Sequence, residues 1–156
     1  MILYILIFFT ACNTLCARDT LNMQVTAGKH AKMKLLISIP RQASQELEEI
    51  AAALTKDFSF SEQFEVKVAH IDVPPSEKEI RSWSLKGFPL MVYVSATQKA
   101  LEWRLYNTIG GKMLAGKKLR KRGHLVRGWA HNIADQVWPE LTAQPGFFSS
   151  RIAYCK

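Results

Sequence analysis

The 156 residues leave room for one small domain with a core of its own, and a make-up of 48% hydrophobic and 22% charged residues is ordinary for a globular protein. No internal repeat, low-complexity tract or Pro/Ser-rich linker occurs, which excludes repeat arrays and disordered tails as the organising plan. The formal net charge of +8 is unevenly placed along the chain.

Ile2 to Cys12 is apolar apart from Thr10, and no charge appears before Arg18. A run of that length suits the hydrophobic stretch of a secretory signal, whereas a membrane-spanning helix wants ~18 residues or more. Residues 1–17 are therefore expected to be a signal peptide cut after Ala17, although no Lys or Arg precedes the stretch and Leu15 is unusual before such a cut. About 139 residues would remain, a typical single-domain size. A buried strand or short core helix is one alternative. A lipoprotein is another, since Phe9-Thr10-Ala11-Cys12 is a loose form of the lipid-attachment pattern. Cys12 and Cys16 leave with the signal, so Cys155 has no intramolecular disulfide partner and no C-x-x-C metal or redox pair exists.

Leu21-Asn22-Met23-Gln24-Val25-Thr26-Ala27 alternates apolar and polar residues, the period of a half-exposed strand. Met33 to Ile39 is denser in apolar residues and ends at Pro40, as an inner strand would. Ser44 followed by Glu46, Glu48 and Glu49 marks a helix start, where the backbone dipole favours acid. Leu47, Ile50, Ala51, Leu54 and Phe58 then fall on one helical face. Phe64, Val66 and Val68 alternate with Glu65 and Lys67, giving another strand. Ser76 and Glu79 after Pro75 have capping-box spacing, and a short helix through Trp83 should follow. Phe88 to Val94 is almost continuously apolar, as in a strand covered on both faces. Leu101, Trp103 and Leu105 alternate with Glu102, Arg104 and Tyr106. Ile109-Gly110-Gly111 supplies a turn and Lys112 to Leu119 returns, a hairpin. Leu125 or Val126, Trp129, Ile133 and Val137 form the apolar stripe of a last helix, which Pro139 is expected to end. The segments together predict an α/β (α+β) domain, a small mixed sheet packed on two or three helices.

No Asp or Glu occurs from Trp103 to Ala134. That window holds Arg104, Lys112, Lys117, Lys118, Arg120, Lys121, Arg122 and Arg127. The other 13 basic residues match the 13 acidic ones, so the whole formal charge lies on the second hairpin and the start of the last helix. Such a patch is either a solvated face or a contact for an anionic lipid or acidic protein. Nucleic acid is not expected as a partner: it would want exposed aromatics among the cations, and Trp103 and Trp129 fall at core positions. Export points the same way.

Catalytic constellations are absent, and the chain reads as a non-enzymatic protein with no cofactor and no metal. His124 and His131 are ~10 Å apart along one helix, too far to share a zinc whose ligand nitrogens lie ~2 Å from the metal. His131 and Asp135 are expected to pair on the helix surface. Gly110-Gly111 lacks the rest of a phosphate loop, and Ser149-Ser150 has no G-x-S-x-G context. Trp83, Trp103, Trp129 and Trp138 read as core or boundary residues rather than a sugar platform.

The carboxy-terminal third carries a family resemblance. R-L-Y with L-A-G-K-K, then H-x-I-A-D on the last helix, then L-T-x-x-P-G-x-F-S-x-R-I-A-Y resembles the amino-terminal domain of TolB, the periplasmic component of the Tol–Pal envelope system. The match is good from Trp103 to Tyr154, fair over Leu21 to Ile39, and weak from Pro40 to Ala100. In the family the last string joins the small domain to a β-propeller, and here almost nothing follows it. The resemblance implies a periplasmic interaction protein serving outer-membrane integrity, cell division and protein import. It implies a mature N-terminal partner-binding segment (18–30), an α/β domain (31–145) and the start of a propeller (146–156). It also implies contact with a TolA-like protein through Leu21, Asn22, Met23, Gln24, Val25, Thr26 and Ala27. Contact with the lipoprotein Pal is a propeller property and is not expected. Phe147-Phe148 and Ile152-Ala153-Tyr154 look like a propeller strand without neighbours. From that, association of copies through the tail and through Cys155 is expected.

Two rival classes stand beside this reading. One is a small exported basic module that binds anionic lipid or another anionic partner through residues 112–127. The other is an enzyme whose site the sequence does not display.

Overall fold

The computed structural model describes residues 32–72, 75–121 and 125–150. Within them the chain runs β1 (Met33–Pro40), α1 (Gln45–Phe60), β2 (Phe64–Ile71), α2 (Glu77–Leu85), β3 (Leu90–Ala96), β4 (Ala100–Asn107), β5 (Lys112–Arg120) and α3 (Val126–Thr142). The five strands make one sheet in the order β2-β1-β3-β4-β5. β1 is parallel to β2 and β3, while β4 and β5 are antiparallel additions. This is the mixed α/β sheet that the segment pattern predicts.

Parallel neighbours need a crossover, and α1 and α2 supply the two. The first connection moves the chain to one side of β1 and the second to the other. Right-handed crossovers then put the two helices on opposite faces, and the packing agrees. Leu35, Ile37 and Ile39 of β1 cluster with Leu47, Ile50, Leu54 and Phe58 of α1 and with Trp129, Ile133 and Val137 of α3. Leu36, Met91 and Tyr106 cluster with Ile80, and Trp83 packs beside them on α2. β1 and β3 are thus covered on both faces, which explains the unbroken apolar run from Leu90 to Val94. Each large side chain so buried contributes roughly 1.5–3 kcal/mol.

The buried stripe of α1 is the one its spacing predicts: Leu47, Ile50, Ala51, Leu54 and Phe58. Both serines act as N-caps. Ser44 accepts the Leu47 N–H at 3.4 Å and Ser76 the Glu79 N–H at 3.2 Å. The Asn107 carboxamide accepts the Ile109 and Gly110 N–H groups and closes the β4–β5 turn.

Four expectations need correction. Phe88 precedes β3 rather than opening it. It lies edge-on to Trp83 at 6.1 Å, under α2. Tyr106 is not on a solvated face, because α2 covers it. Pro139 does not end α3, which continues to Thr142. The proline lacks the N–H that would reach the Asp135 carbonyl, but Trp138 and Leu141 on either side are buried and hold the turn in place. The helix stops where Ala143, in the left-handed region, donates to the Pro139 carbonyl at 2.9 Å. Phe147 and Phe148, finally, do not stand free. Phe148 packs on the core, 5.4 Å from Trp138 and 5.9 Å from Phe58, with Phe147 stacked on it.

Candidate functional site

The segment from Leu21 to Ala27 lies outside the described residues, as do Arg122, His124 and residues 151–156. The rest of the basic patch can be placed. Among the described residues β5 is a sheet edge, paired only with β4. Lys112, Lys117, Lys118 and Arg120 are exposed on it, and Arg127 is exposed at the start of α3. Strand side chains alternate between faces, so the patch is not one plane. Lys117 stands opposite Trp103, on the side of α1 and α3. Lys118 stands opposite Glu102 and Arg120 opposite Ala100, on the other side. Lys112 and Arg120 are ~26 Å apart along the strand.

Two cations of the acid-free window are already neutralised. The Lys121 Nζ lies 2.6 Å from Glu46 on the first turn of α1. That pair fastens α1 to the chain leaving β5, so Lys121 adds little free charge to the patch. The Arg104 guanidinium lies 2.6 Å from Glu102. Hydrogen bonds with Tyr106 and then Glu102 hold it above its usual pKa. Lys112, Lys117, Lys118, Arg120 and Arg127 form no ion pair with a described residue.

A groove of about 820 Å³ opens at the Arg120 end of the edge, lined by Thr97, Gln98, Lys99, Ala100, Lys118, Arg120 and Lys121. Lys99 falls outside the acid-free window and was not among the expected patch residues. Hairpin register comes within one residue of it. Counting outward from the Asn107–Lys112 pair sets Lys99 opposite Arg120, and the bulge at Leu105/Tyr106 moves it on to Lys121, whose N–H donates to the Lys99 carbonyl at 3.0 Å. Gly116 lets the sheet surface beside the groove close up. A Cβ there would stand 3.1 Å from the Trp103 carbonyl oxygen and 3.3 Å from the Arg104 Cγ. The Thr97 hydroxyl already donates to the Ala100 carbonyl, but Lys99, Lys118, Arg120 and the Gln98 amide leave the groove rich in donors suited to carboxylates.

A second groove, about 450 Å³, runs between α1 and α3 past Glu49, Lys56, Asp57, Arg127 and His131. The expected His131–Asp135 pair does not form here. His131 Nδ1 instead lies 2.8 Å from Asp57, and the Asp135 carboxylate accepts the Phe148 and Ser149 N–H groups at 2.7 and 3.0 Å. Burial pushes the Asp57 carboxyl above its ordinary pKa, against the hydrogen bond and charge of His131. Among the described residues no three His, Cys, Asp or Glu side chains converge as a metal site.

The sheet order, the two-sided helix cover and the cationic edge define a small α/β domain with a charged sheet edge. No family model matches the chain. It is 29% identical over 150 residues to the Tol-Pal system protein TolB of Thiobacillus denitrificans, covering 90% of this chain and 35% of that one. It is 30% identical over 145 residues to the protein of the same name from Geobacter metallireducens, covering 84% and 34%. The crystal structure of TolB from Acinetobacter baumannii shares the fold, with a TM-score of 0.57 at 21% identity over 77% of this chain and 31% of that one. The chain carries a TolB-like domain. It spans about a third of the length of these relatives.

Proposed function

We propose that this chain acts as a component of the Tol–Pal system in the periplasm, by binding protein partners rather than by catalysis. The observation that supports this most is the extent of the match. Proteins named for that system align with 84–90% of the chain, including the region from Pro40 to Ala100 where single motifs are weak. The proposed roles are those that the resemblance implies: outer-membrane integrity, cell division and protein import.

Residues 1–17 would direct export, and residues 18–30 would be the partner-binding segment of the mature protein. If extended, the segment would carry Leu21, Met23, Val25 and Ala27 on one side and Asn22, Gln24 and Thr26 on the other. Such a segment can add to the sheet edge of a TolA-like partner, main-chain bonds giving affinity and alternate side chains specificity. Deleting Arg18 to Thr26 should abolish pull-down by a TolA carboxy-terminal domain and leave the circular dichroism spectrum nearly unchanged. Retained binding would sink this reading.

A further inference from the structure

We propose that the outer edge of β5 is a second docking site, which takes an extended acidic peptide as a sixth strand. The inference is independent of the segment at residues 18–30 and concerns the opposite end of the sequence.

The backbone comes first. Lys121 donates to Lys99, so in the antiparallel alternation Leu119, Lys117 and Ala115 turn their N–H and C=O groups inward to β4. Gly116, Lys118 and Arg120 turn theirs outward, where the sheet has no further strand among the described residues. The ladder is regular from Ala115 to Arg120, since its one register shift lies at Leu105/Tyr106, opposite the start of β5. Six residues of edge are therefore ready to pair.

Charge then selects the partner. Lys117 flanks the edge on one face, and Lys118, Arg120 and Lys99 flank it on the other. A second β5 would bring like charges directly opposite one another, which is destabilising. Lysines on an edge are also the usual guard against such pairing. A strand with Glu or Asp at alternate or successive positions meets a cation on whichever face each side chain takes. An anionic membrane fits less well. Its surface would dehydrate the outward N–H and C=O groups without bonding them, and the exposed apolar residue on β5, Met113, lies at the far end from the groove.

The test uses the full chain and a synthetic eight-residue peptide that alternates Glu with Val and Thr. A Lys-for-Glu counterpart and vesicles of mixed neutral and anionic phospholipid serve as comparisons. The acidic peptide should bind, weaken as salt rises, and slow amide exchange at Gly116, Lys118 and Arg120. The Lys peptide should not bind. Lys118→Gln with Arg120→Gln should weaken binding about tenfold, the sum of two exposed ion pairs. Lys118→Pro removes an outward N–H, which an edge tolerates, together with the ammonium. It should therefore abolish binding that Lys118→Gln alone only weakens, with the circular dichroism spectrum retained. No binding, binding without slowed exchange at those three amides, or binding to vesicles that the peptide does not displace would each overturn the proposal. Should the proline variant unfold, the glutamine pair and the exchange pattern still decide.

Discussion

The His131 imidazole on α3 reaches across to α1, where its Nδ1 lies 2.8 Å from an Asp57 carboxylate oxygen. This contact joins the two helices that cover one face of the sheet. Burial nonetheless dominates, and the Asp57 pKa stays above its ordinary 3.8. The folded protein therefore holds that proton more tightly than the unfolded chain. The resulting stability is complete below 3.8 and is lost as pH rises through the folded value. Asp57→Asn has no such dependence and can still accept a hydrogen bond. Relative to the native chain it should gain stability between acid and neutral pH in urea titrations. His131→Ala should cost about 1 kcal/mol, more at neutral pH than in acid, where the carboxyl is protonated. A penalty independent of pH would mean that His131 is not coupled to the charge of Asp57.

Asp135 organises the chain after α3. Its two carboxylate oxygens take separate N–H donors, Phe148 on one and Ser149 on the other. Gly146 lies so close that a Cβ there would stand 2.5 Å from the Asp135 Cα. Gly146→Ala should therefore displace the segment, at about 1–3 kcal/mol. Asp135→Ala should do the same, and Asp135→Asn, with one acceptor oxygen left, should be intermediate. Proteolysis between Gln144 and Ser150 and the emission of Trp138, which Phe147 and Phe148 contact, would report the loosening.

The sequence made most of the sheet legible because its signals are local. The periodicity of α1, the serine caps and the Gly110-Gly111 turn each depend on neighbours a few residues away. Errors arose where a distant element decides. Tyr106 looked outward until α2 covered it, and Pro139 looked terminal until Trp138 and Leu141 fixed the turn. His131 had Asp135 one turn away and took Asp57 from another helix instead. The basic residues were visible in the chain, but their division between two faces of an edge strand was not. That division depends on which face of the neighbouring β4 is buried. Lys99 joined them only through the β4–β5 register, which the bulge at Leu105/Tyr106 shifts by one residue.

The two serine caps offer a graded test. Ser44→Ala and Ser76→Ala should each cost about 1 kcal/mol, and the glycine variants only a few tenths. α2 has nine residues and buries Ile80 alone, so it has little packing to compensate. Ser76→Ala should therefore speed amide exchange through Glu79 and Ile80, whereas the same change at Ser44 should leave the interior of α1 protected by its five buried residues. Equal fraying in both helices would contradict the role given to packing.

Trp138 joins the aromatic residues at the carboxy-terminal ends of α1 and α3. It is 1% exposed and touches Phe58, Phe64, Phe147 and Phe148, with ring centroids 5.4–6.5 Å away. Its indole N–H is buried without a hydrogen-bond partner among the described residues. Trp138→Ala should cost ~3–5 kcal/mol, as should Trp129→Ala at the first buried position of α3. Either is a large share of the ~5–15 kcal/mol that a domain has, and little folded protein should remain. Trp138→Phe should be far milder. It leaves a smaller void and also removes an unpaired donor whose desolvation costs about 1–3 kcal/mol. Denaturant midpoints of the three variants would decide. A phenylalanine variant as unstable as the alanine one would mean that the indole N–H has a partner worth keeping.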